Sequence, residues 1–382
     1  MVIPANPAGC VSRTDEPKDG LTGPGEAGNG VHMFDFTGIV SEIAHKEARQ
    51  GKRSRLTDEK SRKSMKAMIL KENGGIENFT LSEMEKPEAN AGEVLVKVKA
   101  ISINPVDAGV RRDRATLLRM LRPKEGEETY ILGWDISGVV EEAGSNVREF
   151  KKGDEVFGMV NFPGNGKAYA EYVAVPSNQL ALKPKNVSHE EAAAATLAAL
   201  TAWQGLVANA KVKKSDKVLV HAAGGGVGHY AVQIAKSFGS HVIGTGSTAK
   251  KDFVLKLGAD EFIDYTSEKF EDEVKDADIV FDSIADSEHL LRSIAAAKKG
   301  GRVVSIKANF GDEHFKAAKA RDVQTFRILV QSNGEDMKQV ARLMAEGKLH
   351  SHVSARYKFE DLPKAHQQIE TGKTVGKIVV VL

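Results

Sequence analysis

The sequence contains a single cysteine, Cys10, among 382 residues. One thiol cannot form a disulfide within the chain, and it cannot supply the four-cysteine ligand set of a structural zinc site. The 54 basic and 52 acidic residues leave a net charge of only +2, which gives no reason to expect nucleic acid or an anionic membrane as a partner. No apolar run approaches the roughly 20 residues that a membrane-spanning helix needs. We therefore expect a globular cytoplasmic protein, long enough for two domains.

Residues 1–64 differ in composition from the rest of the chain. Met1–Gly30 is rich in glycine and proline, which predicts disorder, and Ile39–Ala48 has the pattern of a short helix. The segment lacks the apolar core of a secretory signal, and its acidic residues argue against a mitochondrial transit peptide. We expect this leader to be an extension of a folded protein that starts near Met65.

The pattern of apolar residues changes once along the chain. Between Met65 and Pro184, short stretches such as Val94–Ala100 and Ile131–Glu142 predict strands of a β-rich region. Ser188 then opens an alanine-rich helix with acidic residues in its first turn. From Lys217 onward, strands alternate with helices such as Glu288–Lys299, which predicts an α/β fold with a doubly wound parallel sheet. The last strand, Gly376–Leu382, need not belong to that sheet.

A glycine-rich turn is the most informative feature of the sequence. It follows the apolar strand Val218–Val220 and precedes a helix that ends near Gly239. In this context the pattern indicates a dinucleotide-binding turn, with a helix N-terminus that faces the phosphates. In this pattern Gly225 lets the backbone approach a pyrophosphate, and Gly228 lets the helix pack closely on the strand. A tight turn without a ligand is the alternative.

The residues that follow the second strand indicate which dinucleotide binds. NAD sites place an acidic residue there to hold the ribose hydroxyls, but no acid occurs between His241 and Lys251. Ser247, Lys250 and Lys251 stand there instead, and hydroxyl and ammonium groups attract the 2′-phosphate of NADP(H). Lys250 and Lys251 could instead be solvated residues at the start of the next helix, and for Lys250 we favour that interpretation.

From Met65 to Leu382 the chain resembles the medium-chain dehydrogenase/reductase superfamily, and within it the zinc-independent quinone oxidoreductase group. The segments that carry the resemblance are Ser102–Asp107, Gly133–Val140, Gly153–Asp154, Tyr169–Tyr172, Thr201–Trp203, Ala222–Gly228 and Gly372–Lys377. The family implies a GroES-like catalytic domain that a Rossmann domain interrupts. We accordingly expect the GroES-like domain at 65–187 and 352–382, and the Rossmann domain at 188–351.

The resemblance also implies roles for individual residues. Gly224, Gly226 and Val227 would belong to the turn that binds the pyrophosphate. Ser247, Lys251 and Tyr265 would contact the adenosine 2′-phosphate, and Thr201 would lie on the nicotinamide side. Asn104 and Asp107 would lie near the nicotinamide or the acceptor. Their local sequence also fits a turn residue before Pro105 and a helix cap, respectively.

Metal chemistry is not expected. Zinc-dependent relatives have a cysteine at the position of Asn104 and a histidine at that of Trp134, and His350 and His352 are more typical of surface residues. Without a metal, hydride from NADPH suits acceptors that delocalise the added charge, namely quinones and α,β-unsaturated carbonyls. An enoyl-thioester reductase and a non-catalytic NADPH-binding regulator are the alternatives. The resemblance also implies a homodimer.

Overall fold

The computed structural model describes residues 64–382. The predicted disordered leader, including the helix at Ile39–Ala48, lies outside the described residues except for Ser64. Within 64–382, no helix has both the length and the apolar character of a membrane span.

The first part of the described chain, together with its C-terminal end, forms two sheets. The strands are β1 (Ser64–Leu70), β2 (Phe79–Glu85), β3 (Glu93–Ile103), β4 (Tyr130–Ile131), β5 (Asp135–Ala143), β6 (Glu155–Met159), β7 (Tyr172–Pro176), β8 (Ala181–Leu182), β15 (Val353–Lys358) and β16 (Lys377–Val381). A seven-stranded sheet runs in the order β15-β16-β3-β5-β6-β8, with β7 paired to β3, and a three-stranded sheet runs β2-β1-β4. Apolar side chains at alternate positions of β3 are buried, as its sequence predicts.

The middle of the chain forms a six-stranded parallel sheet. Its strands are β9 (Lys217–Val220), β10 (His241–Gly246), β11 (Glu261–Asp264), β12 (Ala277–Asp282), β13 (Ala297–Ser305) and β14 (Gln324–Arg327). They lie in the order β11-β10-β9-β12-β13-β14. Counted from β9, this is the strand order 3-2-1-4-5-6 of a doubly wound dinucleotide-binding sheet, so the predicted Rossmann sheet is confirmed.

Helices cover the sheets and connect their strands. The α-helices are α1 (Pro105–Arg112), α2 (Arg114–Leu121), α3 (His189–Ala194), α4 (Leu197–Trp203), α5 (Gly228–Ser237), α6 (Lys251–Lys256), α7 (Phe270–Glu273), α8 (Ser287–Ala296), α9 (Asp312–Ala320), α10 (Gly334–Ala345) and α11 (Leu362–Glu370). Helix α3 begins with the capping box that its sequence predicts, because the Ser188 side chain accepts a hydrogen bond from the Glu191 N–H.

The C-terminal strand returns to the first sheet. β16 pairs antiparallel with β3, with Val380 opposite Ile101, and parallel with β15. The chain therefore leaves the β-rich region, builds the parallel sheet and comes back. The domain boundaries themselves stay a prediction.

Two predicted elements differ in their limits. The helix expected at Glu288–Lys299 ends at Ala296, because Ala297 already pairs with Ala277 of β12. The strand expected at Ile131–Glu142 is split into β4 and β5. Gly133, with a φ of 87°, lies between the two and turns the chain.

Candidate active site

A cleft of about 340 Å³ lies between the parallel sheet and the seven-stranded sheet. Its walls come from residues that are distant in sequence, since both the glycine turn and the start of β16 contribute to it. The residues that line it are Ile103, Asn104, Pro105, Leu197, Ala198, Ala222, Gly225, Gly226, Val227, Gly228, Lys250, Ser283, Ile284, Ile306, Lys307, Ile369, Gly372, Thr374, Gly376 and Lys377.

The glycine turn crosses the carboxyl end of β9, where parallel sheets of this type bind ligands. Ala222 has a φ of 50°, and a Cβ at Gly225 would lie 3.1 Å from its carbonyl oxygen. At Gly228 an added Cβ would be only 2.2 Å from the same oxygen, so helix α5 packs on the turn with no room for a side chain. The N-terminus of α5 consequently opens towards the cleft, as anion binding requires.

The ends of β10 and β11 lie beside the turn, and the structure separates the two neighbouring lysines. Lys250 lines the cleft and its Cδ is 3.0 Å from the position of a Cβ on Gly224, whereas Lys251 is exposed at the start of α6. Partial burial lowers the pKa of Lys250. Ser247 precedes both lysines, and Tyr265 is 61% exposed after β11.

A carboxylate that the linear pattern did not indicate also lies at this end. The Thr248 hydroxyl donates a hydrogen bond to Asp264, the last residue of β11. This hydrogen bond, with others from Thr266, lowers the pKa of Asp264. The residues directly after β10 contain no acid, but parallel pairing of β10 with β11 brings in this one from the next strand.

On the opposite wall, four buried polar residues form what we call the Asn104 cluster, consisting of Asn104, Asp107, Asp135 and Lys377. The Asn104 amide donates a 2.7 Å hydrogen bond from Nδ2 to Oδ2 of Asp135, and its Oδ1 accepts one from the Lys377 ammonium. The backbone N–H of Asn104 donates a 2.7 Å hydrogen bond to Asp107. Asp135 and Lys377 thus fix the orientation of the Asn104 amide, and Asp107 holds the backbone of the same residue.

The other predicted catalytic residues lie behind the lining. Asp107 is fully buried in the first turn of α1, where it caps the backbone of Asn104. Thr201 is 5% exposed within α4, and its hydroxyl donates a 2.7 Å hydrogen bond to the Leu197 carbonyl. Asn104 therefore faces the cleft directly, while Asp107 supports it and Thr201 bonds within its own helix.

Burial dominates the electrostatics of the Asn104 cluster. It raises the pKa of Asp107 to about 7, with a further increase from the nearby charge of Asp135. Burial also raises the pKa of Asp135 and lowers that of Lys377. Each charged form is disfavoured in the same small volume, which is typical of functional sites.

Sequence reasoning missed Lys377 and Asp135 as site residues. Both occur inside segments that carry the family resemblance, Gly372–Lys377 and Gly133–Val140, yet nothing in their spacing links them to Asn104. The strand pairings of β3 with β5 and β16 bring them together. Thr374 also lines the cleft, and among the described residues its buried hydroxyl has no hydrogen-bond partner.

A second group of buried polar residues, the Asp282 network, lies beneath the cleft and comprises His221, Asp282, His289 and Ser293. Asp282 accepts a 2.9 Å hydrogen bond from Nδ1 of His289 and a 2.7 Å bond from the Ser293 hydroxyl. The ring of His221 contacts Ser293 at 3.3 Å. His221 and Asp282 immediately precede Ala222 and Ser283 of the cleft lining, so the network fixes that part of the floor.

The positions that hold zinc ligands in metal-dependent relatives carry other chemistry here. Trp134 is fully buried, donates a 2.8 Å hydrogen bond to the Gly164 carbonyl and packs edge-on against Phe162. Within 64–382, the group of side chains close enough to share a metal ion is His221, Asp282 and His289. Those atoms are engaged in the Asp282 network.

Two family models match the chain. The alcohol dehydrogenase GroES-like domain matches residues 90–185, and the zinc-binding dehydrogenase family matches residues 257–380. The chain belongs to the medium-chain dehydrogenase/reductase superfamily, in its quinone oxidoreductase group. Its sequence and the strand order of its parallel sheet agree on this assignment.

Two curated relatives cover most of the chain. One is the 2-methylene-furan-3-one reductase of Solanum lycopersicum, 35% identical over 326 residues, which are 83% of this chain and 79% of the relative. Another is the chloroplastic NADPH-dependent alkenal/one oxidoreductase of Arabidopsis thaliana, 34% identical over 83% of this chain and 80% of the relative. The solved quinone oxidoreductase from Coxiella burnetii is 33% identical and superposes with a TM-score of 0.77 over 84% of this chain and all of that one.

Proposed function

We propose that this protein is an NADPH-dependent oxidoreductase that reduces a quinone or an α,β-unsaturated carbonyl compound. The observation that carries the proposal is the cleft in which the glycine turn and the Asn104 amide face each other. NADPH bound there supplies hydride from its nicotinamide. The relatives named above support both acceptor classes, since one is a quinone oxidoreductase and another an alkenal/one oxidoreductase.

The residues of the cleft fit a dinucleotide. Gly225 and Gly226 leave backbone room for a pyrophosphate at the N-terminus of α5, and Gly228 lets that helix pack closely on the turn. Thr374 offers a buried hydroxyl that lacks a partner among the described residues. We assign the pyrophosphate to the turn at 224–228 and the nicotinamide to the end of the cleft near Asn104 and Thr201.

The 2′-phosphate is assigned to Ser247, Lys251 and Tyr265, with Lys250 added because it lines the cleft beside Gly224. Asp264 opposes a phosphate here and favours a ribose hydroxyl, so the preference for NADPH rests on the two lysines. Dissociation constants of NADPH and NADH for Lys250→Met and Lys251→Met measure this balance. If a lysine binds the 2′-phosphate, its substitution weakens the binding of NADPH alone. Equal losses of affinity for both cofactors would show that this lysine does not bind the 2′-phosphate.

The reaction needs no metal in this proposal. The amide of Asn104 and the indole of Trp134 are poor zinc ligands, and both are already hydrogen-bonded within the protein. A metal-free reductase keeps its activity in the presence of a chelator. Loss of activity that added zinc restores would contradict the proposal.

Two further features belong to the proposal. A homodimer would form along β14, an edge strand of the parallel sheet, near which Leu329 and Phe315 are about half exposed. Sedimentation of the purified protein tests whether it is a dimer.

The cytoplasm is the proposed compartment, with a plastid as the alternative given the chloroplastic relative. Fractionation of cells that express the protein tests the compartment.

The experiment that tests the function follows the absorbance of NADPH with a panel of quinones, enones and enoyl thioesters, without added metal. Oxidation of NADPH by quinones or enones supports the proposal. Oxidation by enoyl thioesters alone would favour the neighbouring enoyl-thioester reductase branch. Tight binding of NADPH without oxidation by any acceptor would indicate a non-catalytic NADPH-binding protein instead.

A further inference from the structure

Lys377 is a buried lysine that lies in the wall of the cleft. It is the first residue of β16 and is 2% exposed. Its Cδ would be 3.7 Å from a Cβ placed on Gly226, so the alkyl stem runs beside the glycine turn. Its ammonium reaches the Asn104 side chain. Lys377 therefore connects the proposed pyrophosphate site with the amide at the other end of the cleft.

The hydrogen bonds of the ammonium leave one donor free. An ammonium has three N–H donors, and Lys377 gives one to the Asn104 amide oxygen and one, at 3.4 Å, to the Ile103 carbonyl. The nearest carboxylate oxygen, Oδ2 of Asp135, is 4.0 Å from Nζ, beyond hydrogen-bond distance. Among the described residues, no acceptor within bonding distance takes the third N–H, which is thus available to a molecule in the cleft.

The electrostatic surroundings favour release of a proton from this nitrogen. Burial lowers the pKa of Lys377, while Asp107 and Asp135 act in the opposite direction. His229, at the start of α5, is also close enough to sense the charge of Lys377, and burial keeps that histidine neutral by lowering its pKa to about 3. An ammonium with a destabilised charge is a better acid than a lysine in water.

We propose that Lys377 is the proton donor for α,β-unsaturated carbonyl acceptors. The inference rests on the proposed function. Hydride adds to the β-carbon, the π electrons of the C=C bond move towards the carbonyl oxygen, and an enolate forms. The enolate takes a proton from Nζ at its α-carbon, which leaves Lys377 as a neutral amine. The amine regains a proton from water, so NADPH, the acceptor and one solvent proton give NADP⁺ and the saturated carbonyl compound.

The two acceptor classes differ in their need for this proton. Addition of hydride to a quinone gives a hydroquinone anion, whose oxygen exchanges protons rapidly with water. An enolate must be protonated at carbon, which is slow without a positioned acid. Lys377 should consequently matter for enones and much less for quinones.

The test compares Lys377→Met with the wild-type protein on one enone and one quinone. We expect the kcat for the enone to fall on the order of 100-fold more than the kcat for the quinone, the scale of a lost general acid. The solvent deuterium isotope effect on enone reduction should change as well. Lys377→Gln keeps an N–H donor for Asn104 but has no transferable proton. It should show the same selective loss of enone reduction, so the test remains valid if Lys377→Met folds poorly.

A binding measurement gives a readout that is independent of turnover. Fluorescence titration first gives the cofactor concentration that saturates wild type and Lys377→Gln. With NADP⁺ present, p-nitrophenolate, an anionic mimic of the enolate, should bind to wild type and more weakly to Lys377→Gln. Equal binding of p-nitrophenolate to both proteins would contradict the assignment.

Two other lysines provide matched comparisons. Lys307 also lines the cleft, and Lys364 is exposed on α11, where it pairs with Asp361. Lys364→Met should leave both reactions unchanged. Loss of enone reduction in Lys307→Met but not in Lys377→Met would move the proton donor to Lys307 and overturn the inference.

Failure of the inference can be told apart from failure of the proposed function. A wild-type protein that oxidises NADPH with neither acceptor contradicts the function itself. Equal loss of enone and quinone reduction in both Lys377 variants indicates a structural role and overturns the inference alone. A wild-type protein that reduces quinones but no enone also overturns it, because no enolate then forms.

Discussion

The Asn104 cluster and the Asp282 network both bury carboxyl groups beside the cleft, yet the pKa values of these groups are shifted in opposite directions. Burial opposes the charge of Asp282, but hydrogen bonds from His289 and Ser293 outweigh burial and lower its pKa. Asp107 accepts a hydrogen bond from the Asn104 backbone, and burial raises its pKa to about 7. Hydrogen bonding therefore outweighs burial at Asp282, whereas burial outweighs hydrogen bonding at Asp107.

The Asp282 network therefore acts as a rigid floor of the cleft, whereas the Asn104 cluster contains a carboxyl group, Asp107, with a pKa of about 7. The Asp282 network satisfies its charge internally and holds the strand ends under the glycine turn. The Asn104 cluster contains an unpaired oxygen, Oδ1 of Asp107, among the described residues. Burial raises the pKa of Asp107 to about 7, so this carboxyl group changes protonation near neutral pH, where a proton-dependent reaction benefits from it.

Removal of the charge from the Asp282 network should have the largest effect on stability. Asp282→Ala leaves His289, Ser293 and the backbone N–H of Ile284 without their common acceptor. We expect a loss of about 3 kcal/mol in the free energy of unfolding at pH 7, the scale for leaving buried hydrogen-bond donors without an acceptor. Urea denaturation measures it. A loss below about 1 kcal/mol would show that the network does not hold the floor.

The pH dependence of stability should have opposite signs in the two regions. The pKa of Asp107 is raised, so its contribution to stability is fully present below about pH 4 and is lost as pH rises through about 7. The pKa of Asp282 is lowered, so its contribution is present above about pH 4 and is lost in acid.

Asp107→Asn is the variant that isolates this effect. Between about pH 4 and pH 7 the wild type should lose on the order of 2 kcal/mol relative to the variant, about half of what a three-unit shift implies, since buried neighbours share the effect. Unfolding curves at several pH values test this. Parallel pH profiles for wild type and Asp107→Asn would show that Asp107 is not the titrating group.

The smallest expected effect on stability comes from the loss of a single hydrogen bond. Ser293→Ala removes the 2.7 Å bond to Asp282 and leaves that of His289 in place. We expect a loss of about 1 kcal/mol in the free energy of unfolding, with no change in the dissociation constant of NADPH. A large loss of NADPH binding would mean that the two regions are coupled through the floor.

The glycine turn was far more predictable from the sequence than the Asn104 cluster. The turn is continuous in the chain, and the strand and helix around it follow from local apolar patterns, so Gly224 to Gly228 could be placed from the sequence alone. Asn104 could be named by resemblance. Its partners Asp135 and Lys377 lie 31 and 273 residues away and meet it only through strand pairing. Asp264 could not be foreseen from the residues that follow β10, because the parallel sheet puts the next strand alongside.

The central claim is that the cleft carries hydride from NADPH to a conjugated acceptor. Its most direct test uses NADPH that carries deuterium at both C4 positions of the nicotinamide, an enone, and mass spectrometry and NMR of the product. We expect deuterium on the β-carbon of the saturated ketone and a solvent hydrogen on the α-carbon. A product without the label, or NADPH that binds and is never oxidised by quinone or enone, would contradict it.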